Sequence, residues 1–532
     1  MINWFASEKT PRELRGGLAY LPTEPVPAGQ RRSSVSKDGL IYEFELRKGV
    51  KFHDANLSSA TFHPSRPMNA RDVKYTFDRF MDPNHPLRKT EKSNPSGVYP
   101  YWQSLKLGDL VQSVDVIDTY RVRFTLKYPS RQLLTILAIP LLSIHSKEYA
   151  EFVLKLGQPD LFDNHPVGTG PYKVAHFDPA DRNQIRFESF PSYFRGPAAI
   201  PEVEIKTVTD IAARVKMLED GLCDIVSDPG VADFENLKER KGDLFTFNEI
   251  EAMNLSFLTI NNSKIINSDL RHAISYALDR NKYVNSKQEG QRFLLGHGAV
   301  AKSVLYPGLM REFPTAEFYT HNVEKAKALV EKIPAEQRTF DLWVMPVSRP
   351  YNPDVNGKIL FPMIEADLKE VGLTPNIRIV DEDHGGWATY LKLVANTGEL
   401  SEADWSADEK AKVKQILTGS YQVAQIGLNS VVPFANDLYS IASSAAIGRS
   451  GNNRSVWRSE EFDQLYNQIP TTKEEDLQSL YNKIEAVLAR EMPLIPILHS
   501  NIFRIYRKDI KGYHLSPLHS EDFHALRIQS SL

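Results

Sequence analysis

The segment 340–380 constrains the fold more than any other part of this sequence. Alternating apolar residues in 340–344 predict a strand, and a proline-rich loop follows it. Apolar residues then recur at helical spacing over 359–371, and Gly372 is placed to end that helix. Residues 377–380 have the pattern of another strand. The sequence therefore predicts a strand–helix–strand unit.

The loop after the first of these strands carries Arg349, Tyr351 and Asn352. Ligands of such units are bound at the carboxyl ends of the strands, where an arginine can hold a carboxylate through two charge-assisted hydrogen bonds. We therefore predict that these three residues bind ligand. A structural role for Arg349, as the ion-pair partner of Asp341 or Glu365, is the alternative.

Two aromatic residues farther along the chain, Trp387 and Tyr390, are further candidates for contact with a ligand. Aromatic rings stack on ligands, but they also dominate apolar cores. We predict Trp387 as a ligand-binding residue, with core packing as the alternative.

Length, charge and cysteine content limit the class of protein. A chain of 532 residues is too long for one core and indicates two or three domains. A net charge of -3 without long runs of one sign does not favour binding to nucleic acid or to an anionic membrane. The apolar stretch 133–144 is too short to span a bilayer, and residues 1–15 lack the apolar centre of a signal peptide. Cys223 is the only cysteine, which excludes an internal disulfide.

Patterns elsewhere indicate two α/β cores. Asn69 is placed to cap a helix, and 114–126 has the pattern of an antiparallel hairpin. The run 202–226 predicts strand, helix and strand joined by a parallel crossover. Residues 493–498 have the pattern of a strand that crosses between the cores. Two cores joined by crossing strands imply a hinge with a cleft between two lobes.

Sequence motifs for catalysis are missing. The chain contains no HExxH, GxSxG, Walker A or GxGxxG pattern, and its 14 histidines are scattered. His514, His519 and His524 are five residues apart, which does not place two imidazoles on one helical face. We therefore predict no catalytic residue, no metal site and no cofactor.

Several stretches, in order along the chain, resemble one family: the extracellular solute-binding proteins of peptide ABC transporters, family 5. The resemblance extends over about residues 37–528, and it is nearest to the dipeptide-binding proteins and the binding proteins of antimicrobial-peptide uptake. The stretches that carry it are 37–54, 68–73, 165–172, 269–280, 324–329, 488–496 and 508–513.

This resemblance implies a fold. We expect an α/β, two-lobed periplasmic binding protein of type II, with a hinge and an extra α+β subdomain at about 40–165 in the first lobe. The expected divisions are a first lobe at 1–257, a second lobe at 258–496 and a return to the first lobe at 497–532. Relatives carry a signal peptide and further strands before the matching region, so we expect the true start to lie upstream of Met1.

The resemblance also implies a function. We expect a monomeric periplasmic protein that captures short peptides and delivers them to ABC transporter permease subunits in the inner membrane, without binding nucleic acid. Arg349 resembles the arginine that holds the peptide carboxylate in the dipeptide-binding relatives. The alternatives are a protein repurposed for haem, a metal chelate or cationic antimicrobial peptides, a truncated remnant, and a metal-dependent hydrolase.

The sequence differs from these relatives in the stretch that would bind the amino end of the ligand. An Asp in a loop of the type Gly-Asp-Asn-Gly-Asp-Pro-Asp holds the peptide ammonium in those proteins, whereas the corresponding stretch 427–437 has no Asp at that place. Losing such a partner costs roughly 2–5 kcal/mol when nothing replaces it. We predict that Asp437 substitutes for it or that the ligand lacks a free amine.

Overall fold

The structure is a computed structural model that describes most of the chain. The described residues are 2–5, 13–28, 30–57, 59–90, 99, 102–103, 105–130, 132–178, 180–181, 183–306, 309–310, 312–354, 357–380, 386–395, 421–430, 435, 437–447, 452–517 and 521–529. The strands are β1 Ile2–Phe5, β2 Glu13–Gly16, β3 Ser34–Val35, β4 Ile41–Glu45, β5 Ala55–Asn56, β6 Thr61–Phe62, β7 Val111–Asp118, β8 Arg121–Leu126, β9 Tyr172–Phe177, β10 Gln184–Ser189, β11 Glu202–Lys206, β12 Ile225–Ser227, β13 Phe245–Glu251, β14 Asn254–Ile260, β15 Gly298–Val300, β16 Thr339–Val344, β17 Thr374–Ile379, β18 Val423–Asn429, β19 Leu494–Arg507, β20 Ile510–Lys511 and β21 Arg527–Ile528.

The helices lie between these strands in the sequence. They are α1 Ala70–Met81, α2 Pro86–Thr90, α3 Leu107–Leu110, α4 Leu133–Ile136, α5 Lys147–Lys155, α6 Leu161–Asn164, α7 Ile211–Glu219, α8 Val231–Lys241, α9 Ser268–Ala277, α10 Arg280–Asn285, α11 Val323–Lys332, α12 Leu360–Glu370, α13 Gly386–Ala395, α14 Asp437–Ala442, α15 Glu460–Tyr466 and α16 Glu474–Glu491.

One eight-stranded sheet runs through the centre of the molecule. Its strand order is β12-β19-β14-β18-β16-β17, and β13 and β15 also pair with β19. The first part of β19 pairs with β14, while its last part pairs with β12 and β13. The predicted crossing strand is therefore confirmed, and at 14 residues it is longer than the predicted stretch. A strand shared by both halves of the sheet is the connection about which two lobes can turn.

The α+β subdomain of the first lobe has its own core. The antiparallel sheet β3-β4-β8-β7 packs against α1, with Phe44, Phe77 and Phe124 at the centre of the contact. The Phe77 and Phe124 rings meet edge to face, with centroids 4.9 Å apart. The predicted hairpin is confirmed as β7 and β8, and Asn69 caps α1 as predicted.

The predicted unit at 340–380 is present. Strands β16 and β17 are parallel, and α12 connects them. Gly372 follows the helix with a φ of +89°, a left-handed conformation that glycine adopts without steric cost. Strand β18 pairs with the other edge of β16, so the loop after β16 lies next to the centre of the sheet.

The predicted crossover over 202–226 is wrong. Strand β11 pairs with β10 in a separate three-stranded sheet, whereas β12 pairs antiparallel with β19 in the central sheet. The elements themselves were predicted, but the partner of each strand is set by residues distant in sequence. The predicted lobe boundaries at 257 and 496 fall within β14 and β19, and these boundaries stay predictions.

Candidate functional site

The loop after β16 is fixed in a narrow turn that presents Arg349. The Arg349 N–H donates to the Asn352 carbonyl at 3.0 Å, and the Asn352 N–H donates to the Arg349 carbonyl at 2.8 Å. Farther along, the Asp354 carboxylate accepts from the Leu360 N–H at 2.9 Å, at the start of α12. Both ends of the loop are therefore anchored, which reduces the entropy lost when a ligand binds.

The Arg349 guanidinium is stacked on an aromatic ring. Its central carbon lies 4.5 Å from the centre of the Trp387 ring, and the Trp387 ring is stacked on that of Tyr390 at 5.7 Å and 13°. One nitrogen of the guanidinium donates to the Ser348 carbonyl at 3.0 Å. Stacking covers the face of the guanidinium but leaves its edge available for a bidentate bond to a carboxylate.

The two acids proposed as structural partners of Arg349 are engaged elsewhere. Asp341 pairs with Arg378 at 3.3 Å, and Glu365 pairs with Lys369 at 2.6 Å. Within the described part of the chain, Arg349 has no acidic partner. A half-buried cation without a counter-charge is a favourable place for an anionic group of a ligand.

Tyr351 and Asn352 are the buried members of the loop. Burial raises the pKa of Tyr351 to about 12, so its hydroxyl is protonated at neutral pH. Asn352 is fully buried, and among the described residues neither its amide oxygen nor its amide nitrogen has a hydrogen-bond partner. An unpaired buried polar group costs roughly 1–3 kcal/mol, which a ligand with both a donor and an acceptor could recover.

Three residues that the sequence analysis did not single out support this loop. The Ser500 hydroxyl donates to the Pro350 carbonyl, and the Asn254 side chain exchanges two 3.0 Å hydrogen bonds with the Ser500 backbone. A methyl group on Gly427 would overlap the Tyr351 ring. An isolated glycine within a strand pattern is a signal of close approach, and this signal could have identified Gly427.

Asp437 lies in a different apolar cluster, at the start of α14. The Tyr306 hydroxyl donates to its carboxylate at 2.8 Å, and Ser430 provides another side-chain hydrogen bond. Burial raises the pKa of Asp437 to about 6, although these two hydrogen bonds oppose the rise.

Of the predicted site residues, the structure brings Arg349, Tyr351 and Trp387 into contact and holds Asn352 in the same turn. Among the described residues, the Asp437 side chain bonds to Tyr306 and Ser430 rather than to Arg349. Residues 431–434 and 436 of the stretch 427–437 lie outside the described residues.

Neither a metal-binding cluster nor a membrane-spanning helix is found among the described residues. Within the described ranges, no group of three or more His, Cys, Asp or Glu side chains is arranged to hold a metal ion. No described helix has both the length and the apolar character needed to cross a bilayer.

The chain is similar to curated bacterial proteins over almost its whole length. It is 31% identical over 514 residues to heme-binding protein A of Haemophilus influenzae, covering 95% of this chain and 84% of that protein. It is 30% identical over 511 residues to the dipeptide-binding protein of Escherichia coli, covering 95% of this chain and 87% of that protein.

A solved structure is also similar to this chain over almost its whole length. The dipeptide binding protein from Pseudoalteromonas sp. SM9913, in complex with Met-Leu, is 25% identical with a TM-score of 0.80, covering 99% of this chain and 93% of that one. The predicted two-lobed fold is thereby confirmed. Residues 24–441 match the family described as bacterial extracellular solute-binding proteins, family 5 middle. The chain therefore belongs to the bacterial extracellular solute-binding proteins of family 5.

Proposed function

We propose that this chain is the substrate-binding component of an ABC transporter. In this proposal it captures short peptides in the periplasm as a monomer, performs no chemistry of its own, and delivers them to permease subunits in the inner membrane. The observation that carries the proposal is Arg349, a half-buried cation stacked on Trp387 and without an acidic partner in the described ranges. The names of the dipeptide-binding relatives support peptides as the ligand class.

Each residue of the turn has a separate role in this proposal. Arg349 binds the carboxylate of the peptide, and the Trp387 ring holds the guanidinium in position and partly shields it from water. Asn352 offers a donor and an acceptor together, which matches the N–H and C=O of a peptide bond. Tyr351 supplies an apolar ring next to that amide.

There are two alternatives for what the protein binds at the amino end of the ligand. Asp437 keeps part of its surface accessible, and in its charged form it could accept a hydrogen bond from an ammonium group. In the other alternative the ligand has no free amine, and the missing Asp needs no replacement. Peptides with free and with acetylated amino ends distinguish these two alternatives.

Isothermal titration calorimetry tests the role of Arg349. We expect Met-Leu or a longer peptide to bind, and we expect its C-terminal amide to bind much more weakly. Arg349→Ala should weaken binding of the acid about 30-fold or more, because a charge-assisted pair shielded from water is worth roughly 2–5 kcal/mol. Arg349→Lys should restore only part of the affinity, since lysine cannot form the bidentate geometry.

Arg490→Ala is the matched control, because Arg490 is exposed and pairs with Glu461 on a helix surface. This variant should bind like the wild type. Equal affinity of Arg349→Ala and the wild type, or equal affinity for the acid and the amide, would contradict the proposed role of Arg349.

Haem is a second candidate ligand. One of the two relatives described above is named a heme-binding protein, and the stretch 427–437 lacks the acid that dipeptide-binding relatives carry. A visible Soret band after haem addition, together with no heat from any peptide, would favour haem. Heat from peptides and no haem band would exclude it.

A further inference from the structure

Lys106 has an unusual backbone conformation in the α+β subdomain of the first lobe. It precedes α3 with a φ of +50°, in the left-handed region that residues other than glycine rarely adopt. Its N–H donates to the Gln103 carbonyl at 2.9 Å, and its own carbonyl accepts from the Leu110 N–H at 3.0 Å. Two backbone hydrogen bonds therefore hold a conformation that lysine does not favour.

The side chain of Lys106 reaches out of this subdomain. Its ammonium donates to the Asn467 side-chain oxygen at 2.8 Å, across 361 residues of sequence. The same ammonium lies 4.3 Å from the centre of the Tyr439 ring and 5.4 Å from that of Tyr466. All three partners belong to the helical part of the second lobe, around α14 and α15.

Groups around the Lys106 ammonium offset part of the cost of burying a cation. Burial lowers the pKa of Lys106, but Asp109 and Asp463 oppose this effect. The rings of Tyr439 and Tyr466 lie 5.7 Å apart, so the ammonium meets two aromatic faces and one carbonyl oxygen. Cation–π contacts strengthen when the cation is partly desolvated.

The boundary beside Lys106 is loosely packed. A cavity of about 240 Å³ lies there, with Leu105, Tyr128 and Gln132 on the side of the subdomain and Tyr466 and Pro470 on the opposite side. Side chains that face a cavity make few apolar contacts across it. The two surfaces can therefore separate here without opening a continuous apolar core, and the contact of Lys106 is a polar connection between them.

We infer that Lys106 is a positioning residue that holds the two lobes together, and that it raises the affinity for a ligand which it does not touch. The part of this inference that concerns affinity rests on the proposed function. A ligand held by both lobes binds the closed arrangement, so its apparent dissociation constant falls as the closed fraction rises. The contact of Lys106 increases that fraction.

Small-angle X-ray scattering without ligand tests the inference. Lys106→Gly removes the ammonium but keeps a residue suited to the left-handed conformation, so the fold should be preserved. We expect a larger radius of gyration for Lys106→Gly than for the wild type. Lys106→Arg keeps the cation and should restore the smaller radius. An unchanged radius for Lys106→Gly would overturn the inference.

Lys48→Ala is the matched control, because the Lys48 ammonium lies 5.8 Å from the Tyr120 ring within the same subdomain. It should leave the radius unchanged. Asn467→Leu, on the other side of the boundary, should enlarge the radius, and combining it with Lys106→Gly should add little further. Fully additive effects of the two substitutions would show that they act separately and would overturn the inference.

Stopped-flow measurement of ligand release provides the second test. We expect Lys106→Gly to release a bound peptide roughly two- to fivefold faster, the range expected for a partly exposed cation–π contact. The two tests separate the proposals. A larger radius with no peptide binding would support the role of Lys106 and contradict the peptide function. If Lys106→Gly binds peptide with the radius and release rate of the wild type, the result would support the peptide function and contradict the role of Lys106.

Discussion

At the scale of single residues, Gly427 determines whether Tyr351 can lie in its place. A Cβ atom at Gly427 would overlap the Tyr351 ring and would lie 2.6 Å from the Leu255 carbonyl oxygen. We expect Gly427→Ala to lower the free energy of unfolding by about 1–3 kcal/mol, as overpacking of a core does. It should also weaken ligand binding, because Tyr351 belongs to the turn that carries Arg349. Urea unfolding and calorimetry measure the two effects.

Gly170→Ala serves as the control for this prediction. Its added carbon would meet the Tyr172 carbonyl oxygen at 3.8 Å, an ordinary contact, and Gly170 has no positive φ. Its stability and affinity should stay near the wild-type values. If Gly427→Ala were as stable as Gly170→Ala, the close approach of Tyr351 to β18 would be refuted.

The residues of the turn could be predicted from the sequence, whereas those that support it could not. Arg349, Tyr351 and Asn352 are neighbours in one loop, so a local pattern was enough to group them. Ser500 contacts the same loop from 150 residues away, and Asn254 contacts Ser500 from 246 residues away. Such contacts depend on which strands pair and in what register, and no local pattern contains that information.

At the scale of elements, the first helix depends on a reciprocal cap. The Asn69 side chain accepts from the Arg71 N–H at 2.9 Å, and the Asp72 carboxylate accepts from the Asn69 N–H at 2.9 Å. We expect Asn69→Ala to lower the free energy of unfolding by about 1 kcal/mol, because the first turn loses an acceptor. Asn69→Ser should restore most of this loss in urea unfolding, since serine also caps helices. Equal stability of Asn69→Ala and Asn69→Ser would contradict the capping role.

The spacing of apolar residues predicts which segments are strands and helices, but it does not predict how the strands pair. The unit β16-α12-β17 was predicted because its strand and helix patterns are long and a single glycine marks the boundary. The segments of β11, α7 and β12 have similar patterns, yet β11 and β12 lie in different sheets. Periodicity indicates that a segment is a strand, but the pairing partner is decided by packing across the whole molecule.

At the scale of the whole molecule, β19 connects the two halves of the central sheet and also supports the candidate site. Its residues His499 and Ser500 lie between the part that pairs with β14 and the part that pairs with β13. Ser500 holds the turn of Arg349, so the site lies where the two halves meet. We therefore expect a ligand bound there to contact both halves, so that its binding favours lobe closure.

The dependence of unfolding on pH is also a property of the whole molecule, and Glu485 on α16 makes it testable. Glu485 is fully buried, and it accepts hydrogen bonds from Thr315 at 3.4 Å, from the Ser303 side chain and from the Val304 N–H. Burial raises the pKa of Glu485 from 4.5 to about 7. The folded protein therefore binds more protons than the unfolded chain between these values, and this group lowers stability as pH rises through that window.

We expect Glu485→Gln to be more stable than the wild type at pH 8, by on the order of 3 kcal/mol at about 1.4 kcal/mol per pKa unit. The difference should shrink toward pH 5, where the wild-type carboxyl is already protonated in the folded protein. Urea unfolding at both pH values measures it. Glu475→Gln, an exposed change on the same helix, should show no such dependence. A stability difference that is the same at pH 5 and pH 8 would mean that Glu485 is charged in the folded protein despite its burial.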